Sequence, residues 1–80
     1  MRIAVIGAGA MGRWAVKELA ISPEVDDIVV GDYHEEQAWA VAAAQGGGRA
    51  KSVFVDARDA ESVKKAIAGC DAMVNATQHF

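Results

Sequence analysis

Read for its apolar and polar positions, the chain falls into seven stretches that alternate between two periods. Arg2–Ile6 is a short run rich in β-branched side chains (Ile3, Val5, Ile6) and bounded by glycine, which predicts a buried strand. From Ala10 to about Ile21 the spacing changes. Met11, Ala15 and Leu19 fall every fourth residue with Gly12 and Val16 beside them, predicting a helix with one apolar stripe. Ser22-Pro23 ends it, because the residue before a proline is disfavoured in the helical region. Asp27–Gly31 predicts a second buried strand. His34 to about Gln45 predicts an alanine-rich helix released by Gly46-Gly47-Gly48, and Lys51–Val55 a third strand. Asp59 takes the N-cap position of a third helix running to about Ala68, with Ser62 in its first turn and Gly69 as its stop. Ala72–Ala76 closes the series as a fourth apolar strand.

Strands alternating with helices of this length call for right-handed crossovers and a parallel sheet. The expected fold class is α/β: a Rossmann-like doubly wound sheet, truncated to about four strands in the order 3-2-1-4.

The composition narrows the function classes. With 80 residues there is room for one domain, and 52% hydrophobic against 24% charged residues is a globular balance. The net charge of −3, with acids and bases intermixed, provides no basic stripe for nucleic acid. No apolar run approaches the roughly 20 residues of a membrane span. Ile3–Ile6 is too short for the apolar region of a signal peptide. The single Cys70 has no partner for a disulfide and no neighbour at metal-ligand spacing, so it reads as a small buried hydrophobe in a cytoplasmic protein.

The chemistry concentrates where the first strand meets the first helix. Gly7-Ala8-Gly9-Ala10-Met11-Gly12 fits G-x-G-x-x-G, a weak pattern alone but a stronger one between a strand and a helix with an acid further on. Gly7 permits the tight turn, Gly9 lets a pyrophosphate approach the backbone, and Gly12 lets the helix pack on the strand. The amides around Ala10 and Met11, at the positive end of a helix, are expected to hold the diphosphate. A plain tight turn without ligand is the other reading of these glycines.

Asp32 stands twenty residues beyond Gly12 at the end of the second strand, where a carboxylate accepts from the hydroxyls of an adenine ribose and repels a 2′-phosphate. Tyr33 and His34, which follow it, supply no cation for that phosphate. NAD is therefore expected over NADP, and FAD would satisfy the same motif. Asp32 also reads as a solvated turn residue. Asp56 could contact the adenine edge or simply cap a turn. Arg58 could lie across the adenine or stay in solvent, and Arg13 could reach the diphosphate. Trp14 and Trp39 are expected between helices or against another domain rather than on a base.

Taken together, VIGAGAMGRWAVKELA, VVGDYHEEQA, FVDARD and GCDAMVNAT resemble the N-terminal NAD(P)-binding domain of the saccharopine dehydrogenase and L-lysine dehydrogenase family, over nearly the whole chain. The resemblance implies that Gly7, Gly9, Ala10, Met11 and Gly12 cradle the diphosphate with Asp32 on the adenosine ribose. It puts Asp56 near adenine, and Asn75, Ala76 and Thr77 near the pyrophosphate or nicotinamide ribose. It implies an oxidoreductase acting on the CH–NH group of an amino acid of the lysine or saccharopine type. Members of that family continue into a substrate domain, so residues 1–80 are expected to be a fragment that binds dinucleotide, turns nothing over alone and meets the amino acid only through the missing domain. On this reading the fourth strand is an exposed edge open to self-association, and His79 could lie near the nicotinamide. The alternative is a nucleotide-sensing regulatory module in which no hydride moves.

Overall fold

The β-branched residues near the chain's start do form a strand, and the alternation continues as expected. In the computed structural model, which describes residues 1–77, the order is β1 (Arg2–Ile6), α1 (Ala10–Ala20), β2 (Asp27–Asp32), α2 (Glu35–Gln45), β3 (Ala50–Phe54), α3 (Ala60–Ile67) and β4 (Ala72–Asn75). All strands run parallel in one sheet, ordered β3-β2-β1-β4. The register sets Val5 beside Val30 on one side and Val74 on the other.

Because side chains alternate across a strand, β1 and β2 serve two cores at once. Ile3, Val5, Ile28 and Val30 face α1 and α2, meeting Val16, Ala20, Ala38, Val41 and Ala42. Ala4, Ile6 and Val29 face the other way with Val55, toward Val63, Ala66, Ile67 and Cys70. Val5, Val16, Ile28, Val30 and Val55 are completely enclosed, each stabilising the fold by about 1.5–3 kcal/mol relative to exposure. Cys70 is half-buried against the second core, as a small hydrophobe would be.

Three details differ from the sequence pattern. The buried face of α1 is Gly12, Val16 and Ala20, with Ala15 and Leu19 at its margin and Met11 in solvent. The apolar stripe is thus rotated by about one position, because glycine at 12 brings the helix closest to β1 there. Strand β3 begins at Ala50 and stops at Phe54, one residue early at each end. Trp14 and Trp39 do not lie between helices: they are 60% and 67% exposed.

The end of α1 has an anchor that the sequence did not reveal. The Arg49 guanidinium donates to the carbonyl of Val25 at 2.7 Å and to that of Ala20, satisfying a helix-terminal acceptor from a loop far along the chain. At α3, Asp59 is the N-cap as predicted, its carboxylate accepting the Glu61 N–H at 3.0 Å. At the sheet's other side, all four residues of β4 are exposed.

Candidate functional site

The carboxyl ends of β1, β2, β3 and β4 converge on one open cleft of about 620 Å³, bordered by the β1–α1 loop, the loops after β2 and β3, and the turn after β4. That is where an open parallel sheet presents ligands, beside the switch point between β1 and β4.

The three glycines of the first loop do three different things. Gly7 has φ +105°, and a β-carbon there would lie 2.9 Å from the Ala76 carbonyl group and 3.0 Å from the Thr77 nitrogen. Its backbone is thus pressed against the turn after β4, in a conformation that favours glycine. At Gly12 a β-carbon would fall 1.7 Å from the Gly7 oxygen, so this glycine sets how closely α1 approaches β1. Gly9 is the contrast. Nothing lies within 4 Å of where its β-carbon would be, so the chain's own packing does not require glycine there.

Gly9 is also the N-cap of α1. It makes no side-chain cap, its carbonyl receives the first helical bond from Arg13 N–H at 2.8 Å, and the first turn carries no acid. The amides of Ala10, Met11 and Gly12 precede that bond, so they are left to a ligand or solvent at the positive end of an 11-residue helix. Ala10 and Met11 are exposed, as holding a diphosphate would require.

Asp32 has two structural partners that the sequence did not predict. Its Oδ2 accepts the Ala8 N–H at 2.6 Å, and its Oδ1 accepts the His34 N–H at 2.8 Å. The carboxylate therefore ties the glycine loop to the end of β2. An ionised carboxylate has about four acceptor positions, so two remain for ribose hydroxyls on the cleft side.

Across the cleft, Asp56 heads a tightly bonded turn. Its N–H donates to Ser62 Oγ at 2.9 Å, and its Oδ1 accepts Arg58 N–H at 3.0 Å and Arg58 Nε at 3.3 Å. The Arg58 backbone N–H, and then its guanidinium, hold the Asp56 carboxyl below the usual carboxylate range. The guanidinium carbon stands 5.9 Å from the centre of the Tyr33 ring. Tyr33 also packs edge-on to His34 and tilted against Phe54, at 5.6 and 5.4 Å between ring centres. An aromatic and cationic wall thus borders the cleft beside Asp32.

After β4, Asn75 Oδ1 accepts both the N–H and the hydroxyl of Thr77, at 3.1 and 2.7 Å. Of the residues singled out from the sequence, Gly7, Gly9, Asp32, Asp56, Ala76 and Thr77 line the cleft, while Ala10, Met11 and Gly12 form the helix start behind it. Asn75 stands outside the lining and shapes the turn instead. Sequence reasoning did not bring Arg58 together with Tyr33: two separate loops carry them, and no local spacing links the pair. Arg13 is exposed at the second turn's approach, and His79 lies outside the described residues. Among the described residues no cluster of His, Cys, Asp or Glu is arranged for a metal ion, and no helix is long and apolar enough to cross a membrane.

Comparison with known proteins adds one finding. Residues 3–80 match the family model described as the saccharopine dehydrogenase NADP binding domain. No curated protein and no solved structure gives a match.

Proposed function

Since the chain belongs to the family of saccharopine dehydrogenase NADP-binding domains, we propose that its cleft seats NAD in preference to NADP, for an oxidoreductase acting on the CH–NH group of an amino acid of the lysine or saccharopine type. The observation that carries the dinucleotide site is Gly9, a glycine with open space above it at an uncapped helix start. A pyrophosphate approaching the backbone explains why a side chain is absent there.

In this reading Gly7 and Gly9 shape the seat, and the amides of Ala10, Met11 and Gly12 bond the diphosphate oxygens. Asp32, held by the Ala8 and His34 amides, turns its remaining acceptor positions to the adenosine ribose. Asp56 borders the adenine, and Ala76 and Thr77 border the pyrophosphate or the second ribose. The nicotinamide supplies the hydride chemistry when bound; the chain's own residues place it.

The preference for NAD rests on Asp32. The family's description names NADP, whereas a fixed carboxylate at the end of β2 repels a second negative group on the 2′ oxygen. The saccharopine type of substrate is supported by the family description, and the lysine type by the sequence resemblance alone.

Calorimetric titration of the chain with NAD, NADP and FAD, beside Asp32→Asn, tests this reading. NAD should bind more tightly than NADP and than FAD, with NAD weakened in the variant. Absence of heat from all three with a folded chain would overturn it.

A further inference from the structure

The two helices that share one side of the sheet carry apolar side chains outward. On α1 the buried residues are Gly12, Val16 and Ala20, so Trp14 and Ile21 crown the opposite face two turns apart, with Met11 beside them. Trp14, Ile21 and Met11 are 60%, 76% and 63% exposed. On α2 no residue from Gln37 to its end at Gln45 is charged. This helix buries Ala38, Val41 and Ala42 and leaves Ala40, Ala43 and Ala44 exposed, with Trp39 at their margin. A helix that is apolar all round ordinarily has a neighbour on every side. At about 250 Å² for a whole tryptophan, Trp14 and Trp39 alone leave about 300 Å² exposed. A patch of that size marks an interaction surface.

We propose that the α1–α2 layer is a self-association surface. A second copy of the chain packs on it about a two-fold axis parallel to the helices, so that α1 of each copy lies on α2 of the other. The inference is independent of the dinucleotide reading.

Shape and charge select this arrangement over α1 packed on α1. The outer face of α1 is bulky and that of α2 is lined by alanine, so Trp14 and Ile21 fit the partner's Ala40 and Ala43 where they would collide with their own copies. Among the exposed charges of α1, Arg13 and Lys17 outweigh Glu18, whereas α2 opens with Glu35 and Glu36 and holds no cation. The sheet also fixes the relative height of the helices. Ile6 and Gly31 are register partners, and each helix starts four residues after them. A two-fold axis parallel to the helices keeps those heights matched. Trp14, fifth in α1, then meets the partner's Ala40, sixth in α2. Arg13 stands two residues, about 3 Å, along the axis from the partner's Glu36. The same contact occurs twice, as a closed two-fold interface requires.

The area sets the strength. Each helix has 11 residues, so the layer measures about 16 by 20 Å. That is smaller than the about 800 Å² per partner of a standard interface, which makes the dimer weak and concentration-dependent.

Sedimentation velocity of the 80-residue chain over a concentration series into the high micromolar range tests the proposal. The parent should pass from monomer to dimer across the series. Trp14→Glu on α1 and Ala43→Glu on α2, both at exposed positions, should each raise the dissociation constant more than tenfold. Ile21→Ser and Ala40→Glu repeat the test at neighbouring positions, with circular dichroism verifying that each variant keeps its fold. Added salt should weaken the dimer, and Val74→Lys on the exposed β4 should leave it unchanged. A parent that stays monomeric throughout overturns the proposal. So does a dimer sensitive to Trp14→Glu but not to Ala43→Glu or Ala40→Glu, which would pair α1 with α1. A dimer lost only in Val74→Lys would be joined through the edge of the sheet and would overturn it as well.

Discussion

Alanine at Gly12 and alanine at Gly9 should fail in opposite ways. A β-carbon at position 12 lies 1.7 Å from the Gly7 oxygen and 2.7 Å from its carbonyl carbon. Ordinary carbon–oxygen approach is about 3.3–3.6 Å, so α1 and the loop must separate by roughly 1.6 Å. The obstacle is backbone, so no side-chain rotation relieves it. Moving α1 outward draws Val16 and Ala20 off β1 and β2. Overpacking of this kind costs about 1–3 kcal/mol, and the backbone contact places it near the upper end. Alanine's better helix propensity returns about 1 kcal/mol. The balance is a loss of about 2 kcal/mol, a large share of the stability of so small a domain. At about 4–8 °C per kcal/mol for a chain of this length, Tm should fall by about 8–16 °C.

Gly9→Ala meets nothing within 4 Å. A weaker N-cap and a less flexible unfolded chain oppose each other, each worth less than about 1 kcal/mol, so Tm should stay within about 4 °C of the parent. Its NAD affinity should drop about tenfold or more, since the methyl group fills the space kept for the diphosphate. Thermal unfolding and calorimetric titration on the two variants measure both quantities. A Gly12→Ala chain that melts with the parent would refute the packing argument, and a Gly9→Ala chain that binds NAD normally would refute the seat.

Asp32→Asn should lower both NAD affinity and stability, the latter by about 1–3 kcal/mol, because one amide oxygen cannot serve the Ala8 and His34 donors as two carboxylate oxygens do; chemical denaturation beside titration separates the two effects. Asp59→Ala should cost about 1 kcal/mol through the lost N-cap, seen as faster amide exchange in α3 with β1 and β2 unchanged. Arg49→Met should leave the Ala20 and Val25 carbonyls without their donor and lower stability by about 1–3 kcal/mol, read from the denaturation midpoint. The Asp56 carboxyl is held below its ordinary pKa by Arg58, so its contribution is present in full above the unfolded value and lost as pH falls through the lowered folded one. Denaturation midpoints measured from about pH 5 to pH 2 should fall less steeply in Asp56→Asn than in the parent.

Much of the fold was legible because local and global preferences agree. β-branched runs bounded by glycine became β1 and β2, and Asp59 capped α3 where its position before an amphipathic stretch suggested. The order β3-β2-β1-β4 followed from the alternation and the handedness of crossovers. Most of what stayed hidden depends on residues distant in sequence. The face of α1 is a local exception: it rotated because Gly12 packs against the Gly7 carbonyl in the β1–α1 loop, a backbone contact that apolar spacing does not register. Trp14 and Trp39 read as packing residues by their hydrophobicity, yet their helix positions turn them outward. Within the site, the glycine loop and Asp32 were visible as a motif. Asp32's bond to Ala8 and the meeting of Arg58 with Tyr33 were not, since each joins separate loops through the tertiary structure.

The contact between Gly7 and the turn after β4 has a bearing on how the chain folds. Ala76 and Thr77 press on Gly7 across nearly the full length of the described chain, and Ala76 N–H bonds the Ile6 carbonyl at 2.8 Å. Closing so long a loop is among the slowest and entropically most demanding steps available to it. The β1–α1 turn can form early, from neighbours in sequence, but it acquires its final shape only when β4 docks beside β1. Competence to bind should therefore arise late and all at once, with the last strand to pair, so that a dinucleotide added during refolding reports completion of the sheet rather than formation of the loop that touches it.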